Sequence, residues 1–140
     1  MSNEQTMNRL LNPNTTGGVR STADHPWIAV IAYYSAYHLV AEVASIAVPD
    51  RQLLTHDEQV DFLRQTPSLQ ETALLYNNLN TLRKYALYRA PVNASLATER
   101  KILFYADAEQ FQAVVLDSWF VPLKEKLMDY RHSLLSIKIP

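Results

Sequence analysis

A chain of 140 residues, 48% of them hydrophobic, is of single-domain size and long enough to bury a core without covalent staples. The absence of cysteine excludes disulfide frameworks, thiolate nucleophiles and cysteine-ligated zinc. Thirteen basic and fourteen acidic residues leave a net charge of −1, so no overall field draws the chain to nucleic acid or anionic lipid, and any such contact needs a local patch.

Residues 1–23 are polar and rich in Asn, Thr and Gly, and read as a flexible arm ahead of a bundle domain over 24–140. The arm holds no basic stretch leading into an apolar one, so no secretory signal is expected and the reading is cytoplasmic. Both glycines, Gly17 and Gly18, lie in it. Beyond it the punctuation is proline alone, the pattern of long helices with proline-marked joints.

The first helix is predicted from Asp24, a cap with Pro26 in the first turn, to just before Val48-Pro49. It is apolar nearly all round, with Ser35, His38, Glu42 and Ser45 in one stripe at steps of three, four and three. That polar seam must meet water, a partner chain or paired polar groups. The helix could span a bilayer by length, but His38 and Glu42 near its middle favour a soluble core helix with no membrane partner.

The second helix opens on a capping box, Thr55 and Glu58, buries Val60, Phe62 and Leu63, and stops before Thr66-Pro67. The third is predicted from a second box, Ser68 and Glu71, to about Arg89, with Leu75, Leu79, Leu82 and Ala86 on one seam. Residues 91–106 mix helical and extended signals. The last helix runs from about Asp107 to Leu135, with Phe111, Val114, Val115, Trp119, Leu123 and Leu127 inward and a kink before Pro122. The fold class is therefore all-α, an antiparallel bundle of about four to five helices.

The order of YYSAYHLVAEVA in the first helix, Thr55-His56 opening the second, LNTLRKYALY in the third and ADAEQFQAVV in the fourth resembles HEPN domains (higher eukaryotes and prokaryotes nucleotide-binding). The likeness is to the small prokaryotic members often encoded beside minimal nucleotidyltransferases. It covers roughly residues 26–128. It implies a helical bundle that forms a homodimer and acts in a toxin–antitoxin or phage-defence system, on RNA or nucleotides, with a cognate nucleotidyltransferase or another protein as partner.

Active HEPN ribonucleases resemble one another in an Arg followed after four to six residues by a His. Such a pair suits metal-free cleavage: His moves the proton of a ribose 2′-hydroxyl or of the leaving oxygen, and Arg neutralises charge on the phosphate. Arg51 and His56 have this spacing, as do Arg20 and His25, although neither pair lies in the later part of the bundle where the family carries it. In the third helix Arg83-Lys84-Tyr85-Ala86-Leu87-Tyr88 has no His at that spacing, and Leu87 stands where related members have Asp. Arg51 and His56 are thus the candidate catalytic pair, and Arg83, Lys84 and Tyr88 the candidate anion or RNA contacts. Arg83 is expected to pair with an acid such as Glu42, or else to stand free for an anion. His56, in the first turn of its helix, lies where free backbone amides favour phosphate.

No Glu-x-x-His occurs, so a di-metal carboxylate bundle is not expected, nor is any other metal or cofactor. Gly17-Gly18 lacks the strand and the Lys-Ser/Thr of a phosphate loop. Three functions stay open: an RNA-directed protein, either ribonuclease or degenerate binder; a non-catalytic dimerisation or protein-interaction module; and a small-molecule sensor with Ser35, His38 and Glu42 lining a pocket.

Overall fold

A computed structural model of the chain describes residues 25–88 and 107–138, and these are helical with no strand among them. The predicted arm, Asp24 and the mixed segment 91–106 lie outside the described residues. Helix α1 is His25–Ala47 and α2 is His56–Gln65, followed by a 3₁₀ turn, Pro67–Leu69; α3 is Thr72–Tyr88. The last helix, α4, starts as Ala108–Phe111, passes through a π-helical stretch, Gln112–Phe120, and continues as Val121–Lys138.

Local chemistry explains most of the boundaries. Thr55 accepts from the Glu58 amide and Glu58 reaches back to the Thr55 amide, so α2 opens on the predicted capping box. Asp107 caps α4 through the Gln110 amide at 2.7 Å. The box expected at Ser68 and Glu71 does not form. Pro67 starts a 3₁₀ turn closed by the Leu69 amide on Thr66, and α3 begins only at Thr72, whose hydroxyl donates to Leu69 O. Glu71 is left to bridge to Lys126 at 3.1 Å.

At the place where a kink is expected before Pro122, the helix passes through the π-helical stretch, after which the Val121 amide donates to Leu116 O, five residues back. Pro122 has no amide hydrogen and its ring crowds the carbonyl four residues earlier; widened turns just ahead of it absorb both demands.

The helices interlock along one core. Ile28, Ala32, Val40 and Val43 of α1, Leu63 of α2, Leu79 and Leu82 of α3, and Phe111, Val115, Leu123 and Leu127 of α4 are buried in it. His25 stacks on Phe111 at 4.0 Å, and farther along Glu42 meets Arg131, so α1 and α4 run in the same direction. The start of α3 meets α4 at Lys126, and α3 also packs on the π-helical stretch, so α3 runs against both. Helix α1 is long and apolar enough to cross a membrane by length and composition. One face of it lies in the core, where Ile28, Ala29, Ala32, Val40 and Val43 have no exposed surface, while Trp27 on the same helix is exposed.

Candidate functional site

Three helix faces converge beside the core on a set of polar and aromatic side chains. Helix α1 contributes Tyr33, Tyr34 and Tyr37, α2 contributes His56 and Gln59 one turn apart, and α3 contributes Tyr76, Asn77, Asn80 and Arg83 at helical spacing.

His56 is held on both ring nitrogens. Nε2–H donates to Asn77 Oδ1 at 2.8 Å, and Nδ1 accepts from the Tyr33 hydroxyl at 2.9 Å. This assignment needs a neutral imidazole. Burial pushes the His56 pKa below its ordinary value, the Asn77 hydrogen bond and the Asp57 charge oppose this, and the Lys84 and Arg83 charges add to it. Burial likewise raises the Tyr33 phenol above its ordinary value, so it keeps the proton that Nδ1 accepts.

Behind His56 the polar chain continues inward. Tyr76 stacks on Tyr33 at 5.3 Å between ring centres, and its hydroxyl donates to Gln59 Oε1. Gln59 is fully buried, and its amide donates to Leu53 O at 3.2 Å and to Tyr37 O at 3.5 Å. Burial raises the Tyr76 phenol far above its ordinary range, and Tyr33 adds to the effect. These groups tie the entry of α2 to α1 and α3.

Arg83 closes the outer side. Its Nε and Nη2 donate to Asn80 Oδ1 at 3.1 and 2.6 Å, and Nη1 lies 3.4 Å from the Tyr34 hydroxyl. The guanidinium carbon sits 4.5 Å from the centre of the Tyr33 ring, a cation–π contact, and 5.7 Å from that of Tyr34. Among the described residues no carboxylate forms an ion pair with Arg83. The pairing with Glu42 expected from sequence does not occur, because Glu42 faces α4 and is taken by Arg131 at 2.8 Å.

The structure thus brings His56, Arg83 and the half-buried Lys84 into one neighbourhood. It leaves Arg51 elsewhere: Arg51 is exposed in the α1–α2 connection and lines a separate recess with Ala41, Ala44 and Leu53. Arg51 and His56, joined by sequence spacing, share no contact. Tyr88 falls in the last turn of α3, and its side chain lies outside the described residues. Ser35, His38 and Glu42 line a furrow against α4. Among the described residues no three His, Asp or Glu side chains gather as a metal site.

Sequence reasoning missed Gln59, Asn77 and Asn80. The signal was present in Tyr76-Asn77-Asn78-Leu79-Asn80, where amides interrupt the apolar seam of α3 and so need buried partners. Compared with known proteins, the chain matches no family model, no curated protein and no solved structure at a significant level.

Proposed function

We propose that the chain is a HEPN-like bundle that holds RNA or a nucleotide by its phosphate at Arg83 and Lys84 and does not cut it. The observation that carries this reading is the Arg83 guanidinium, fixed by Asn80 and seated on the Tyr33 ring, with no carboxylate paired to it among the described residues. A planar cation fixed in this way is preorganised for an anion, Lys84 adds a second charge beside it, and the exposed Tyr34 ring offers a surface for a base. Cleavage has less support. Metal-free phosphodiester chemistry needs an imidazole nitrogen that can exchange a proton with the substrate, and both nitrogens of His56 are engaged within the fold. The toxin–antitoxin or defence setting, the nucleotidyltransferase partner and the cytoplasmic location belong to the same proposal and rest on the sequence alone.

Fluorescence anisotropy with a labelled RNA pool in EDTA tests this reading. Binding is expected to weaken as salt rises, as it does wherever phosphates are neutralised. Arg83→Ala is expected to lose about tenfold in affinity or more, and Lys84→Ala roughly threefold. Arg83→Lys keeps the charge without the fork and should fall between wild type and Arg83→Ala. RNA cut by the wild type and left intact by His56→Ala would replace this reading with a divergent ribonuclease. Equal affinity in all the variants would end it.

A second reading, the dimerisation module, has its own observation. Val121, Met128 and Leu135, seven residues apart on α4, are 37%, 42% and 37% exposed, an apolar stripe at heptad spacing. If two copies pair through this stripe, sedimentation velocity shows a dimer that Met128→Glu converts to a folded monomer. A wild-type monomer at high concentration would remove it.

A further inference from the structure

His56 and Arg83 share one aromatic ring. The Arg83 guanidinium carbon lies 4.5 Å from the centre of the Tyr33 ring, and the centre of the His56 ring lies 5.7 Å from it. Lys84 follows Arg83 on α3, and the charges of both act on His56. An anion seated on these two cations is therefore near a half-buried imidazole, the one type of side chain whose ordinary titration falls close to neutral pH.

The hydrogen bonds around His56 are complete in either protonation state. With a neutral ring, Tyr33 donates to Nδ1 and Nε2–H donates to Asn77. With a charged ring, Nε2–H keeps Asn77, Nδ1–H donates to the Tyr33 oxygen, and the Tyr33 hydroxyl hydrogen turns to the Tyr76 oxygen at 3.4 Å. Tyr76 can accept it because its own hydrogen is committed to Gln59. No heavy atom has to move, and no polar atom is stranded.

Charge then decides which state is populated. Tyr33 of α1, Asp57 of α2, and Tyr76, Arg83 and Lys84 of α3 surround the ring, while Glu58 on the same turn is directed back to Thr55. Burial keeps both phenols neutral. Asp57 favours a charged ring, and burial, Lys84 and Arg83 oppose it. A phosphate on Arg83 and Lys84 offsets the opposition of those two cations and adds an attractive charge of its own. The anion thus favours the proton, and by reciprocity the proton favours the anion.

Resting on the reading of Arg83 as a phosphate contact, we infer that His56 takes up a proton when the phosphate binds, so that acidity tightens the site's hold on its ligand. The proton stays within the Tyr33–His56–Asn77 chain and is not passed to the ligand, which separates this role from acid–base cleavage.

Calorimetric titration of the full chain with oligouridylate lacking a terminal phosphate tests the inference, since neither its bases nor its phosphodiesters titrate in the range used. Runs in two buffers of different ionisation enthalpy count the protons taken up. Wild-type affinity is expected to rise roughly fivefold from about pH 8 to about pH 5.5, with net proton uptake near pH 6. His56→Gln, which keeps an amide donor for Asn77 and an oxygen for Tyr33, should show neither. Tyr33→Phe keeps the ring under Arg83 but removes the donor that favours neutral Nδ1, so its rise should begin at higher pH than in the wild type. The inference is overturned, with the phosphate reading intact, if binding depends on Arg83 but carries no proton uptake, if His56→Gln keeps the wild-type pH dependence, or if the onset in Tyr33→Phe does not move. Equal affinity of wild type and Arg83→Ala at every pH would end both.

Discussion

Replacing Gln59 with Leu is expected to lower the unfolding free energy by about 3 kcal/mol and the melting temperature by roughly 10 °C. Leucine fits an apolar interior but cannot serve the groups that Gln59 serves. The Tyr76 hydroxyl loses its acceptor, and the carbonyls of Leu53 and Tyr37 lose a donor, all in a place where Gln59 itself has no exposed surface. Each polar group left unpaired costs about 1–3 kcal/mol, against the much smaller net gain from making the bond. Tyr76→Phe alone is expected to cost about 2 kcal/mol, since it strands Gln59 Oε1 and removes a long contact of 3.4 Å with the Tyr33 hydroxyl. The double variant Tyr76→Phe/Gln59→Leu should then cost about 3 kcal/mol, well under the sum, because Leu in place of Gln59 removes the acceptor that Phe would have stranded. Urea unfolding of the four chains measures the coupling. Strict additivity would mean that Tyr76 and Gln59 do not act as a pair.

Acidification is expected to destabilise the protein through His56, and the sign follows from where its proton binds. In the fold its pKa lies below the ordinary 6.5, first because of burial, so the unfolded chain binds the proton more readily. The contribution of His56 is therefore at its full value above pH 6.5, falls as pH drops through the window below 6.5, and levels off below the folded-state pKa. A proton on Nδ1 would also force the Tyr33 hydroxyl to turn from donor to acceptor, next to the cations of Arg83 and Lys84, while the Asp57 charge favours it. Unfolding free energies of wild type and His56→Gln, compared from about pH 8 to about pH 5, isolate this effect because the carboxylates cancel in the difference. Parallel curves would show that His56 does not titrate in this way.

The helices were legible in the sequence wherever neighbours a few residues apart decide the outcome. The end of α1 at Ala47, both ends of α2 and the burial of Leu79, Leu82, Leu123 and Leu127 follow from proline joints, the Thr55–Glu58 box and apolar periodicity. Where two local signals competed, the pattern alone misled. Ser68 and Glu71 have capping-box spacing, yet Pro67, two residues after the end of α2, favours a 3₁₀ turn, and α3 starts only at Thr72, whose buried hydroxyl donates to Leu69 O. Pro122 implies a disturbed ladder, and the structure meets it with a π-helical stretch over Gln112–Phe120 just ahead of it.

The candidate site was legible only in part. Arg83, Lys84 and His56 stood out by residue type, but the spacing of Arg51 to His56 suggested a pair that the fold separates. A gap of five residues carries meaning inside a helix, where it fixes a shared or opposite face, and none across a connection such as the one that holds Arg51. The partners that matter to His56 come from 23 residues before it and 21 after it, and Arg131 reaches Glu42 across 89 residues.

The chain's own order of residues thus settles that there are helices, about where they begin and end, and which stripe of each is apolar, because these depend on contacts within one or two turns. Which polar groups meet depends on how each helix is rotated and slid against its neighbours, and that is set by packing of the whole core. Asn77 rather than an acid behind His56, Asn80 rather than Glu42 on Arg83, and an unpaired Ser35 facing α4 are all products of that packing.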